Sequence, residues 1–90
     1  MNREKIMKEN PDYEFIEEFV EVPSGKKIAL VETRVGDGEH ERHEQFHILI
    51  NGTKAYDKTF DYAGPFDKEG LALVRKNGEK FFINPEGERI

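Results

Sequence analysis

The chain nearly repeats itself, and this constrains its fold more than any other feature. Residues 27–31 (Lys-Ile-Ala-Leu-Val) are echoed by residues 70–74 (Gly-Leu-Ala-Leu-Val). Further along, residues 46–48 (Phe-His-Ile) match residues 81–83 (Phe-Phe-Ile) with a smaller offset, so the first copy carries an insertion in its middle. The same alignment matches Gly52 with Gly87, Tyr13 with Tyr56 and Phe19 with Tyr62. Because one repeated unit cannot bury its apolar face alone, the two copies are expected to stack.

The turn residues predict consecutive antiparallel hairpins. The Asn77-Gly78 dipeptide lies between two apolar runs and suits a two-residue type I′ turn, since both positions need a positive φ. That turn sets Leu73 opposite Phe82 and Val74 opposite Phe81, so the base of the hairpin is apolar on both faces. Such a hairpin is expected to be covered on both sides.

The N-terminal residues predict a different element. Residues 1–10 are expected to contain a short helix, because Asn2 suits an N-cap and Pro11 ends the segment. Residues 13–22 fit either a helix or an extended strand, and the repeat register favours the strand. The expected fold is mainly β: one domain, 1–90, of consecutive antiparallel hairpins in a small stacked repeat sheet with a short N-terminal helix.

Two stretches of the second copy resemble the signature of WG repeats. Residues 64–74 (Gly-Pro-Phe-Asp-Lys-Glu-Gly-Leu-Ala-Leu-Val) are similar to its Pro-Phe and Gly-Leu-Ala half, and residues 77–87 are similar to the half that follows. Residues 56–90 match the pattern well, whereas residues 13–55 form a degenerate copy. The Trp-Gly pair that names the family is replaced by Lys80-Phe81, and the chain contains no Trp. The resemblance implies a β-rich repeat module that mediates interactions, and it carries over no catalytic residue.

Composition argues against several classes of function. The net charge of −5 and the pI near 5.2 are unfavourable for nucleic acid and anionic membranes, which bind clustered Lys and Arg. The absence of Cys excludes disulfides, thiolate metal sites and a Cys nucleophile. No apolar run approaches the ~20 residues of a membrane span, and residues 1–10 lack the core of a signal peptide. We therefore expect a cytoplasmic, non-enzymatic protein without a cofactor.

The segment 32–45, inserted in the first copy, is rich in imidazoles and carboxylates. Two imidazoles and a carboxylate can hold a divalent metal such as zinc. The candidate ligands are His40, His43, His47, Glu39 and Glu44. The alternative is a solvated hairpin arm with opposite charges facing each other, of which residues 35–44 are expected to be dispensable for folding. A small metal-binding protein or metal-dependent enzyme is thus the main alternative to an interaction module.

Aromatic residues are the other candidate site, although such residues more often form the core. The aromatic residues expected to reach a partner are Tyr13, Tyr56, Tyr62, Phe81 and Phe82. They predict a protein partner or a homodimer at the C-terminal hairpin, with a self-assembling structural protein as a further alternative. The repeat motif also predicts that Phe66 is buried under that hairpin and that Gly70 lies in a tight turn.

Overall fold

The computed structural model describes residues 2–36, 38–39 and 41–90. In these residues one helix precedes six strands: α1 (Asn2–Glu9), β1 (Glu14–Glu21), β2 (Lys27–Val35), β3 (Arg42–Leu49), β4 (Tyr62–Ala63), β5 (Ala72–Lys76) and β6 (Glu79–Ile83). The strands form two three-stranded antiparallel sheets, β1-β2-β3 and β4-β5-β6. The prediction of a mainly β fold with a short N-terminal helix is confirmed. The ambiguous segment 13–22 is a strand over most of its length, as the repeat register favoured.

The C-terminal hairpin has the predicted register. Asn77 and Gly78 both have positive φ, at 53° and 83°. Leu73 pairs with Phe82, and Val74 pairs with Phe81. The dipeptide alone therefore fixed which side chains share each face of the β5–β6 hairpin.

Both hairpins place their matched residues at equivalent positions. Ala29 pairs with Ile48 across β2 and β3, as Ala72 pairs with Ile83 across β5 and β6. The neighbouring pair in the first hairpin is Leu30 with His47, which corresponds to Leu73 with Phe82 in the second.

The aromatic surroundings of the two hairpins also repeat. The Phe46 ring meets Tyr13 edge-on at 5.5 Å between centroids, and the Phe81 ring meets Phe60 edge-on at 6.1 Å. A cation lies over each of these rings: Lys54 at 4.9 Å from the Phe46 centroid and Arg89 at 4.6 Å from the Phe81 centroid. In this ring contact Phe60 takes the place of Tyr13, so the sequence match of Tyr13 with Tyr56 does not hold. It fails because the connection before β4 does not keep the spacing of the segment before β1.

The second strand of each hairpin is followed by the same tight turn, after which the chain pairs antiparallel with that strand. Gly52 donates to the Leu49 carbonyl and Gly87 donates to the Asn84 carbonyl, both at 2.8 Å. A side chain from elsewhere packs against each glycine. A Cβ on Gly87, whose φ is +81°, would lie 2.6 Å from the Cβ of Tyr56, so no larger residue fits without movement. Ile6 of α1 occupies the corresponding place beside Gly52, so the helix anchors the first turn.

Phe66 packs against the first sheet. Its side chain is buried, and its ring centroid lies 4.3 Å from that of His47 on β3. Upstream, Phe60 exchanges two backbone hydrogen bonds of 3.0 Å with Gln45, which ties the connection to the edge of β3. The predicted burial of Phe66 is confirmed, and the ring contact that the structure shows is with His47 of the first sheet. The predicted turn at Gly70 is confirmed by its φ of 81° and its 3.0 Å bond to the Asp67 carbonyl.

The second hairpin is covered on one face only. Ala72, Val74 and Ile83 are buried, but Leu73 is 36% exposed and Phe82 is 47% exposed. The expectation that both faces are covered is therefore wrong for the described residues. No described segment does for this outer face what Phe66 does for the first sheet.

The contrast between two Phe side chains tests this arrangement. We expect Phe66→Ala to lower the free energy of unfolding by about 3–5 kcal/mol, the loss typical of a buried ring. Phe82→Ala removes the same ring from an exposed position and should cost about 1 kcal/mol or less. Urea unfolding followed by circular dichroism measures both, with Phe66→Leu as a milder variant if the alanine protein does not fold. Equal losses at the two positions would contradict the burial of Phe66.

Candidate interaction surface

Three exposed apolar side chains form a row across the second sheet, which we call the outer row: Leu73, Phe82 and Ile90. Leu73 pairs directly with Phe82, and the Ile90 amide donates to the Phe82 carbonyl at 2.9 Å. Residues directly opposite in an antiparallel pair share one face, so all three side chains project to the same side. Ile90 is 68% exposed, the largest value among the exposed large hydrophobic residues. The three side chains therefore form one contiguous exposed apolar row.

A second line of side chains borders the outer row. Tyr62 pairs with Arg75, and Arg75 pairs with Lys80, so these three share the face of the outer row. The Tyr62 hydroxyl lies 3.7 Å from where a Cβ on Gly64 would be, so the ring leans toward the row. Together with Leu73 they line a shallow pocket of about 240 Å³. Within the described residues, neither Arg75 nor Lys80 forms an ion pair.

The first sheet has an equivalent row that is covered. Leu30 and His47 occupy the positions of Leu73 and Phe82, and they are 2% and 1% exposed. The cover is the segment 64–66: the Phe66 ring lies against the His47 ring, and the Gly64 carbonyl oxygen lies 2.8 Å from His47 Nε2. The chain therefore shows how such a row is occupied when a partner segment is present.

His47 is the one buried polar or charged residue of the described core, and all of its polar atoms are bonded. Because the Gly64 carbonyl can only accept, His47 Nε2 carries the proton and donates to it. Nδ1 is then the acceptor, and the Tyr56 hydroxyl donates to it at 2.6 Å. The same hydroxyl accepts from the His47 backbone N–H at 3.1 Å. This closed network leaves the imidazole no position for a substrate or a metal.

Burial perturbs both members of this pair. Desolvation lowers the pKa of His47 to about 4, outweighing the bond to Gly64, which favours the charged form. Desolvation also raises the pKa of Tyr56, against the smaller opposing effect of its bond to the His47 backbone. Both side chains are therefore neutral at physiological pH, as a buried structural pair requires.

The predicted interaction residues separate into two groups. Tyr56 is buried, and Tyr13 and Phe81 are half-buried against Phe46 and Phe60, so these three belong to the core. Tyr62 and Phe82 are each 47% exposed and lie on the outer face. The aromatic candidates did not include Leu73 or Ile90. The sequence does contain signals for both residues. The Asn77-Gly78 turn sets Leu73 opposite Phe82. The repeat offset sets Ile90 beside Phe82, in the same way that Ala55 lies beside His47.

The predicted metal ligands that lie within the described residues are dispersed. His43 Nδ1 lies 3.1 Å from Glu32, and Glu44 contacts Arg42 and the Thr59 hydroxyl instead. Glu39 is exposed on the arm, His47 is enclosed in the core, and His40 lies outside the described residues. Among residues 2–36, 38–39 and 41–90, no three His, Asp or Glu side chains are grouped to hold a metal ion. The arm does pair opposite charges, as at Arg34 and Glu41, whose Nε and Oε1 are 3.2 Å apart.

Comparisons with known proteins do not assign a family. No protein-family model matches the chain, and neither curated proteins nor solved structures gave a significant match. Within the described residues, no helix has the length and apolar character needed to cross a membrane. The functional argument therefore depends on the outer row and its covered counterpart.

The buried imidazole predicts an acid-sensitive fold. An ordinary His has a pKa of 6.5, whereas that of His47 is about 4, so the unfolded chain binds the proton more tightly. The stability from the neutral imidazole is fully present above pH 6.5 and is lost as pH falls from 6.5 to 4. At about 1.4 kcal/mol per pKa unit, the loss in the free energy of unfolding is about 3 kcal/mol. Urea unfolding at a series of pH values measures it.

Two variants isolate the contribution of His47. His47→Gln keeps a donor and an acceptor but cannot titrate, so the decline between pH 6.5 and 4 should flatten. His43→Gln on the exposed arm keeps the His47 imidazole and should retain the part of the decline that His47 causes. A hydrogen bond from Arg89 lowers the pKa of Glu79, and the acid loss of this carboxylate is common to both variants. Bonds from Gln45 and His43 lower the pKa of Glu32, so His43→Gln also removes part of the Glu32 acid loss. An unchanged decline in His47→Gln would contradict the assignment.

The arm is expected to be dispensable for folding. Thr33 pairs with Glu44, so replacing residues 34–43 by Asn-Gly gives the first hairpin the turn of the second without changing its register. The removed ion pairs are largely exposed and worth ~0–1 kcal/mol each, and a shorter loop lowers the entropy of closure. Unfolding should remain cooperative, with a free energy within about 1 kcal/mol of wild type. Loss of cooperative unfolding would show that the arm packs on the body.

Proposed function

We propose that the chain is a non-catalytic protein-interaction module of WG-repeat type whose interface is the outer row. The observation that carries the proposal is the comparison within the molecule. The row of Leu30 and His47 is covered by a chain segment, whereas the equivalent row of Leu73 and Phe82 is exposed. An exposed contiguous apolar row beside uncompensated cations is typical of a surface that binds another chain.

Two further observations support an interaction role. The most strongly perturbed pKa values among the described groups belong to His47 and Tyr56, which bond to each other and to the backbone inside the core. Their shifts thus have a structural cause. The motifs in residues 64–87 that resemble WG repeats form the second hairpin and the segment that covers the first sheet, so they account for both the scaffold and the exposed face.

Selection from a random peptide library tests the proposal. The double variant Leu73→Thr/Phe82→Thr removes the outer row but keeps the β propensity of both strands. The matched control, Ile16→Thr/Val20→Thr, changes two exposed apolar residues of β1 instead. We expect peptides that bind the wild type and the control protein but not the outer-row variant. If no ligand distinguishes the outer-row variant, the row is not an interface.

Sedimentation velocity at micromolar concentration tests a second copy as the partner. A homodimer closed through the outer row should dissociate in the Leu73→Thr/Phe82→Thr variant and persist in the Ile16→Thr/Val20→Thr control. A wild-type monomer leaves the row open for a different chain. A dimer that survives in the outer-row variant would place self-association on another surface.

A further inference from the structure

We propose that the outer row binds an acidic segment of a partner chain with an aromatic anchor, laid over Leu73 and Phe82 as residues 64–66 are laid over His47 in the covered row. This inference rests on the proposed function and adds the chemistry of the partner. The arguments are the repeated geometry of the two rows and the charge beside the exposed one.

The first argument is that the two rows have the same backbone arrangement. In each sheet the row crosses the hairpin at equivalent pairs, and the returning chain adds a third member after the tight turn. The occupant of the covered row is known: it is the Phe66 ring, 4.3 Å from the ring of His47. Phe82 stands at the position of His47, and an aromatic side chain is also the best partner for a Phe ring. An anchor of the Phe66 type therefore fits the exposed row.

The second argument is charge. On the first sheet, the line beside the row holds Glu32 and Gln45, which bond to each other, and Gln45 Oε1 accepts from the Ala63 amide at 2.7 Å. On the second sheet, Arg75 and Lys80 occupy these positions. A carboxylate and the neutral amide that holds the covering segment are thus replaced by two cations. The matching occupant carries carboxylates, whose charge-assisted bonds to these cations are stronger than neutral ones.

The covering segment itself has this chemistry. Residues 61–71 (Asp-Tyr-Ala-Gly-Pro-Phe-Asp-Lys-Glu-Gly-Leu) carry three acidic side chains and one basic one around Phe66. A peptide of this sequence, supplied separately, is therefore a suitable probe. A second copy of the whole chain fits less well, since its own Phe66 is buried and its exposed aromatic side chains, Tyr62 and Phe82, lie beside the same two cations. A face-to-face pair would bring like charges together.

Titration of the ¹⁵N-labelled protein with the 61–71 peptide tests the proposal. We expect saturable amide shifts centred on Leu73, Phe82 and Ile90. A peptide with Ala in place of Phe66 should bind about tenfold or more weakly, since a buried aromatic anchor dominates such contacts. The charge-reversed protein Arg75→Glu/Lys80→Glu should also bind the peptide more weakly, and added salt should weaken binding to the wild type but less so to this variant.

The outcomes separate this proposal from the one it rests on. Shifts away from the outer row, no saturable shift at millimolar peptide, or equal binding of the Ala peptide would overturn the aromatic anchor. Peptides from the library that depend on Leu73 and Phe82 but lack an aromatic or acidic residue would also overturn it, while leaving the interaction module in place. A dimer that forms through the outer row would show that the partner is a second copy of the chain, and this would overturn the acidic segment as the occupant. Only the absence of any row-dependent ligand or dimer removes both proposals.

Discussion

The contact between the Phe66 and His47 rings is the interaction on which the rest of the architecture depends. A two-stranded hairpin with apolar side chains on both faces cannot bury them by itself, and an isolated hairpin is marginal in water. Here the segment that leads into the second sheet crosses the first one and covers its row. The same crossing brings Tyr56 to His47 and to the turn at Gly87. One short connection therefore closes the core of the first sheet and supports the turn of the second.

The residues at the two equivalent positions are the reverse of what hydropathy suggests. The polar His47 is buried, and the apolar Phe82 is exposed. Burial of the imidazole is tolerated because both ring nitrogens have partners, so little desolvation is left uncompensated. Exposure of Phe82 breaks no hydrogen bond, but it forgoes the hydrophobic gain that the covered row receives. The second sheet therefore lacks the hydrophobic stabilisation that covering this row would provide.

Local sequence patterns predicted the parts of the fold that depend on local chemistry. The Asn77-Gly78 turn gave the register of β5 and β6, and the turn at Gly70 lies where the motif placed it. The patterns failed where long-range packing decides. Nothing in the spacing shows that Phe66 lies on β3, or that Tyr56 is a core residue bonded to His47 rather than a surface residue. Tyr62 and Phe82, two of the aromatic candidates, are exposed. The burial of the equivalent row on the first sheet depends on the segment that crosses it, and local spacing does not predict that crossing.

The distribution of charge would let the outer row select among partners in the proposed complex. The chain carries a net charge of −5, and β1 alone contains four Glu residues. An acidic segment is therefore repelled by much of the surface, whereas Arg75 and Lys80 attract it to the face that holds the apolar row. At physiological salt, where the Debye length is ~8 Å, each of these effects is local. In the proposed complex, orientation would come from the two cations and affinity from the apolar contact, so that the charges would reject wrong partners and the buried ring would hold the right one.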